Sequence, residues 1–468
     1  MRVGVPPRRP PAAGLPPAGR RVQGARARER RRVPLRPALS GRAVRAGGVL
    51  SGGRRRVAVV GGGIAGLTAG YYLSRTHDVV LFEKSGRLGG NAYSHRLPDG
   101  TVVDIAVAAF GKAGYKNFYA LLGELDIPTV LGRKSYISCH DLDSKTGLYL
   151  TLSARGALSQ GLDLVNPANL QSLANLFLGL RRAQRRRASG ALKGVTLGRL
   201  LQELPEFSGD TKVIFLSALC LLSSMAASEV LDSPAEFFLN KLKTHHDMLS
   251  PKALYSVRCV RDGTRRYVNA LAARFRKDVV FHARIKTVGR GSSGAVLVME
   301  DGSRQVFDAV VFACNPDQAL ALLAAPTPLE TELLGAWRYK DGRVVVHRDL
   351  SSFPPRPLIE AYTFLYTMRD GVMDTSVNGA TWHLPHVPDD CEYISAQHPN
   401  YPIRRDLIDL DTVLRTPMFD FRSLATVPRL AELNEQGQSY YCGSYFGFGL
   451  HEDAVTSAKA VAAKFGCV

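Results

Sequence analysis

The sequence predicts an α/β protein, with a parallel sheet built from separated stretches of chain and an α+β region inserted between them. Three observations carry this. A four-residue apolar run, Val57 to Val60, passes directly into Gly61-Gly62-Gly63 and then into "IAGLTAGYYLSR", where small and apolar residues recur at helical spacing. A second apolar run, "DVVLFEK" (78–84), follows at the distance expected for a strand–helix–strand unit. Two further runs, "DAVVFACN" (308–315) and the start of "QSYYCGSYFGFGLHEDAVTSAKAVAAKFG" (438–466), return much later. Continuous apolar runs of this length suit strands buried on both faces.

Gly61, Gly63 and Gly66 form a G-x-G-x-x-G pattern in a strand–turn–helix context. Gly61 permits the tight turn, Gly63 leaves room for a pyrophosphate, and Gly66 lets the helix approach the sheet. The unpaired amides at the helix start, at Ile64 and Ala65, and the positive end of the helix dipole then favour phosphate. A plain tight turn is the competing reading. Glu83 argues against it, because an acid 22 residues after Gly61, at the end of the second strand, can accept hydrogen bonds from a ribose hydroxyl. The pattern G-K-[ST] is absent, so this is not a nucleoside-triphosphate loop. The central sheet therefore reads as Rossmann-type and dinucleotide-binding.

"KSGRLGGNAYS" (84–94) supplies a second glycine turn, Arg87-x-Gly89-Gly90, and a second close backbone approach suits a longer, extended cofactor. In this order of first turn, ribose acid and R-x-G-G turn, the chain resembles the FAD-containing amine oxidase and phytoene desaturase superfamily. The nearest resemblance is to a bacterial subgroup of predicted NAD/FAD-binding, amine-oxidase-like flavoproteins, and it spans residues 56 to 466. The matching stretches are "RVAVVGGGIAGLTAGYYLSRTHDVVLFEKSGRLGGNA", "FFLNKLKTHHDMLS", "VRDGTRRYVNALAARF" and "YYCGSYFGFGLHED". Asn91 stands where the superfamily usually has Arg. Asp262-Gly263-Thr264 and Asp104-Ile105-Ala106 also depart from its patterns.

The resemblance implies FAD as cofactor. It implies contacts from Gly61, Gly63, Ile64, Ala65, Gly66, Glu83, Lys84, Arg87, Gly89, Gly90 and Asn91. The stretch Val280 to Val288, in the segment "RKDVVFHARIKTVGR" (276–290), is expected against the adenosine half, with Val288 as its named contact. Gly443, Glu452, Asp453 and Ala454 are expected at a C-terminal helix that points its N-terminus at the flavin. No metal site is expected.

The 468 residues suffice for two to three domains. The expected organisation is an Arg/Pro-rich disordered tail (1–53), an FAD-binding domain in three parts (54–130, 251–318, 425–468), a mainly helical cap (131–250) and a second part of the substrate domain (319–424). The net charge is +20, but 16 Arg and one acid, Glu29, lie in the first 56 residues. That is +15, which leaves about +5 for the rest. The tail has three readings: sequence upstream of the true start codon, a basic arm touching membrane or nucleic acid, or a transit peptide. Seven scattered cysteines without a CxxC pair favour free thiols in a reducing compartment, and the expected location is cytoplasmic, with peripheral membrane contact left open. "VIFLSALCLLSSMAASEVL" (213–231) reads as one buried helix.

One dinucleotide fingerprint favours an oxidase or dehydrogenase: a small-molecule substrate gives a hydride to flavin, and oxygen or an electron carrier takes the electrons. No catalytic residue is assigned. The candidates near the site are Lys112, Lys116, His245, His246, Arg265, Arg266 and an aromatic wall of Tyr441, Tyr445, Phe446 and Phe448; Cys442 reads as a packing residue. An apolar or lipid-like substrate is favoured because no acidic cluster awaits an amine, and the subgroup's association with acyl-lipid modification points the same way. Three rivals are an amine oxidase, a non-catalytic flavin-binding protein and a nucleic-acid binder working through the tail, although no specific nucleic-acid partner is expected. The oligomeric state stays open.

Overall fold

In a computed structural model of the chain, the described residues are 53–106, 108–111, 114–132, 137–150, 167–246, 257–291, 294–435 and 437–468. Tail residues 1–52 and Lys112 lie outside them.

Strand β1 (Arg56–Val60) sits in the middle of a five-stranded parallel sheet with β2 (Asp78–Phe82), β3 (Val279–Val280), β4 (Ala309–Phe312) and β5 (Ser439–Tyr441). The strand order is β3-β2-β1-β4-β5. Val57, Ala58 and Val59 are fully buried, as a central strand demands. Alternate residues serve opposite layers. Val57, Val59, Leu81 and Val311 join one core with the helices, whereas Ala58, Val60, Phe82 and Phe312 join another with Leu297 and Phe307 of an antiparallel three-stranded sheet.

Seven helices matter to the site: α1 (Ile64–Leu73), α2 (Lys116–Glu124), α3 (Pro167–Ala188), α4 (Gly209–Ser223), α5 (Ala235–Lys241), α6 (Arg265–Ala273) and α7 (His451–Lys464). Helix α7 lies against α1 through the small-residue stripe Ala454, Ser457, Ala458, Val461 and Ala462, all buried. Helices α3 to α5 belong to the other core, which they share with Phe364, Tyr366 and Val377 of a seven-stranded mixed sheet. That sheet includes Ile137–Asp141 and Gly147–Leu150, so the stretch read as mainly helical begins with two strands.

The run 213–231 is not one helix. Helix α4 ends at Ser223, Ser224 turns left-handed (φ 54), and a new helix covers Ala227–Asp232. Glu229 explains the restart: its carboxylate accepts the Ala226 N–H (2.9 Å), a capping interaction that breaks the apolar pattern from within. Among the described residues no helix is long and apolar enough to cross a membrane.

The β-ladder register aligns Val60 with Phe82 and Phe312, and Phe312 with Tyr441, so these four strands end at one edge. The loops leaving that edge converge, and in open α/β sheets ligands bind there. The tightest contact is at Gly66, where a Cβ would stand 1.9 Å from the Gly61 carbonyl oxygen. Gly66→Ala is therefore expected to force α1 away from the turn and to cost about 3 kcal/mol or more, measured as a lower denaturant midpoint.

Candidate active site

Two glycine turns interlock at the sheet edge. Gly61 adopts φ +109, and its N–H donates to the Phe82 carbonyl (2.9 Å). The Gly89 N–H donates to the Gly62 carbonyl (2.8 Å), and a Cβ on Gly90 would stand 3.1 Å from the Gly63 Cα. Arg87 holds the second turn from within: Nη1 donates to the Gly90 carbonyl (2.7 Å), and the guanidinium lies 3.8 Å from the Tyr93 ring centroid. Asn91 Nδ2 donates to the Arg415 carbonyl (3.0 Å), tying this turn to the seven-stranded sheet.

Glu83 is 9% exposed. Its Oε2 accepts the Gly62 N–H (2.7 Å) and its Oε1 the Ser85 N–H (2.8 Å). Each oxygen keeps a second acceptor site, so the carboxylate can still receive a hydroxyl.

The turns open into a cavity of about 1920 Å³. Ligand pockets commonly run about 300–1,000 Å³, so this one has room for a long cofactor and a second molecule. Gly61, Gly63, Ile64, Ala65, Glu83, Lys84, Arg87, Gly89, Gly90, Asn91, Gly443 and Ala454 all line it. A Cβ on Gly63 would meet nothing within 4 Å, so the backbone there is bare toward the cavity. These features suit an FAD: a side-chain-free backbone for the pyrophosphate, an acid for the ribose and a length beyond one ordinary pocket.

Four expected residues do not line the cavity. Gly66 is behind it, where it sets the distance between α1 and the turn. Val288 is fully buried, opposite Leu297 and bridged to Leu323. The cavity instead meets Ala283, Arg284 and Ile285, because the His282 and Ala283 amides bond to the Ser85 and Glu83 carbonyls at the end of β2. Val288 lies three residues further along, past a bulge between Ile285 and Thr287.

Glu452 and Asp453 serve as caps. Glu452 turns to the start of α2 and accepts the Asn117 N–H (3.0 Å), Asn117 Nδ2 (2.9 Å) and the Phe118 N–H (2.8 Å). Asp453 accepts the Leu450 N–H (2.8 Å) and the Phe448 N–H (3.0 Å), and burial pushes its carboxyl up to about 6. His451, next to them, does line the cavity. Its Nε2 is 2.7 Å from the Tyr267 hydroxyl, and burial lowers its pKa to about 4, so the imidazole is neutral.

Of the expected aromatic wall, Tyr445 alone lines the cavity. Tyr441 stacks on Phe312 and donates its hydroxyl to Glu330 (2.5 Å), while Phe448 stacks on Phe237. Cys442 is fully buried, and burial pushes its thiol up. Arg266 pairs with Asp262 (2.7 Å), and neither it nor Arg265 reaches the cavity. Lys116 is exposed at the start of α2. The side chains of His245 and His246 lie outside the described residues.

Sequence reasoning missed Lys241. It is 2% exposed, lines the cavity, and donates from Nζ to the Phe448 carbonyl (2.9 Å). The Phe237 and Phe419 ring centroids are 5.7 and 5.4 Å from Nζ. Burial lowers its pKa to about 8, against the pull of Asp453. The cavity end beyond Lys241 is apolar: Leu173, Phe177 and Leu180 come from α3, and Phe215, Leu219 and Leu222 from α4. Among the described lining residues the carboxylates are Glu83, at the glycine end, and Glu300, which faces Arg284 (3.5 Å).

A family model described as flavin containing amine oxidoreductase matches residues 64–344, more than half of the chain. Protoporphyrinogen oxidase of Bos taurus is 49% identical over 71 residues, which is 14% of this chain and 15% of the length of that relative. A redesigned triple variant of putrescine oxidase superposes with a TM-score of 0.63 at 15% identity, over 88% of this chain and 98% of that one. A CLA-producing fatty acid isomerase from P. acnes superposes with a TM-score of 0.58 at 15% identity, over 88% and 98%. At such identities the likeness is one of fold, and one fold serves substrates this different.

Because Glu452 caps the start of α2, Glu452→Ala should lower the unfolding free energy by about 2 kcal/mol while flavin content, read from the visible spectrum, stays at the wild-type level.

Proposed function

The chain belongs to the flavin containing amine oxidoreductase family, whose cofactor is FAD, and on that premise we propose that it oxidises an apolar, lipid-like substrate by removing hydride from carbon. The observation that carries the substrate half of this reading is the leucine- and phenylalanine-lined end of the cavity. A cationic amine would need a carboxylate there, and the carboxylates among the described lining residues sit at the other end.

In this reading the five-stranded sheet with α1, α6 and α7 forms the cofactor half of the protein, and α3 to α5 with the seven-stranded sheet form the substrate half. The bare backbone at Gly61–Gly63 and the first amides of α1, at Ile64 and Ala65, hold the pyrophosphate. Glu83 takes a ribose hydroxyl, and the turn Arg87–Asn91 with Lys84 borders the same half. Gly443, Ala454 and the N-terminus of α7 border the far half, where the positive end of the helix favours negative charge.

FAD, when bound, takes the hydride and later yields its electrons to oxygen or a carrier. Desaturating a C–C unit also removes a proton from the neighbouring carbon, and that proton needs a base. Lys241 Nζ is the group we assign. It is buried at the start of the apolar end, and its lowered pKa leaves an appreciable amine fraction near neutral pH.

Gly63→Ala has open space for its Cβ, so it should fold like the wild type yet purify largely without FAD; normal flavin content would overturn the assignment of the turn. Under anaerobic conditions, long-chain acyl or isoprenoid compounds should bleach the flavin, whereas bleaching by primary amines alone would move the reaction to C–N bonds. The amine form of Lys241 grows as pH rises, so the bleaching rate should climb through about pH 8. Lys241→Met should remove that rise and cut the rate by about a hundredfold or more.

A further inference from the structure

We propose that α3 docks the protein on an anionic lipid surface, with the apolar mouth of the cavity set against the bilayer. Leu170, Leu173 and Phe177, at i, i+3 and i+7, are 53%, 42% and 61% exposed, and Leu178 beside them is 48% exposed. Large apolar side chains gathered on one face of a surface helix require a partner.

The same stripe continues in another chemistry. Arg181 and Arg185 lie one and two turns beyond Phe177, and both are exposed. Their neighbours are already engaged: Arg182 pairs with Glu206 (2.5 Å), Arg186 with Glu203 (2.8 Å), and Arg187 donates to Asn240 (2.8 Å). Arg181 and Arg185 pair with no carboxylate among the described residues. The opposite side of α3 is held in the fold, since Ala183 is 1% exposed and a Cβ on Gly179 would stand 2.8 Å from the Phe207 ring. The outward face therefore cannot roll inward to bury itself.

An apolar half followed by an exposed cationic half on one face matches a bilayer edge, with acyl chains meeting Leu and Phe and anionic headgroups meeting Arg. Continuity with the cavity selects lipid over a protein partner. Leu170, Leu173 and Phe177 line the cavity as well as the surface, so a protein seated on them would close its mouth, whereas a bilayer would extend it. The docking goes beyond the proposed oxidation and is read without turnover, so either can fail alone.

The test is flotation of the full-length protein with vesicles of phosphatidylcholine alone, or of phosphatidylcholine and phosphatidylglycerol in equal parts. The wild type should float with the mixed vesicles. The double variant Phe177→Glu/Leu178→Glu should lose binding by about tenfold or more, with thermal unfolding unchanged because both side chains are exposed. Arg181→Glu/Arg185→Glu should lose the preference for anionic vesicles by about tenfold or more and keep its activity on detergent-dispersed substrate. A wild type that does not float, or a Phe177→Glu/Leu178→Glu protein that floats as well as the wild type through its Arg-rich N-terminal segment, would overturn the proposal.

Discussion

The site depends on a contact that leaves no room for a side chain. The Gly61 carbonyl occupies the place a Cβ would take on Gly66, and this seats the first turn of α1 directly over the end of β1. The position of the helix amides then follows from backbone geometry and needs no cation to hold it. Glu83 adds a second constraint, because its carboxylate is already anchored by the Gly62 and Ser85 amides and so stands at a fixed distance from the turn. Rigidity of this kind lowers the ordering cost of binding a long, flexible ligand.

What the sequence could reveal follows the range of the forces involved. The glycine turns were legible because their demands are local: a left-handed φ at Gly61, a bare surface at Gly63 and a close helix at Gly66 each restrict the residue type in place. Glu452 misled because its partners, the Asn117 and Phe118 amides, are over 330 residues away, and an acid in a first helical turn looks the same whether it faces a ligand or caps another helix. Within the expected stretch Val280 to Val288 it is Ala283 to Ile285 and not Val288 that meet the cavity, because a bulge and two backbone bonds decide which part of the strand faces it. Lys241 carried no local signal, since a lysine in a helix is ordinarily solvated and its burial arises only when α5 packs under the Phe448 loop.

The cavity joins two solvents in one space. At the glycine end, polar backbone and Glu83 replace water; at the other, α3 and α4 present mainly Leu, Ile and Phe side chains, and the Ser223 hydroxyl is spent on the Leu219 carbonyl. Lys241 stands between them. Its ammonium is compensated by a carbonyl, two aromatic faces and the more distant Asp453, which offset part of the desolvation cost and leave its proton loosely held. A boundary of this sort orients an amphiphile without recognising its detailed shape.

The order of strands has a consequence for how the protein is made. Strand β1 is flanked by β2 nearby and by β4 some 250 residues on, and β4 is in turn completed by β5, a further stretch of chain beyond the substrate half. Such non-local pairings are slow to form, and parallel sheets pay loop-closure entropy before contacts repay it. A nascent chain carries its glycine turn long before β4 and β5 and cannot close the sheet, or place α7, until those later segments have been made. Cofactor capture thus waits for β5 and α7, and until then the apolar lining of a very large cavity is surface that the cell must keep from aggregating.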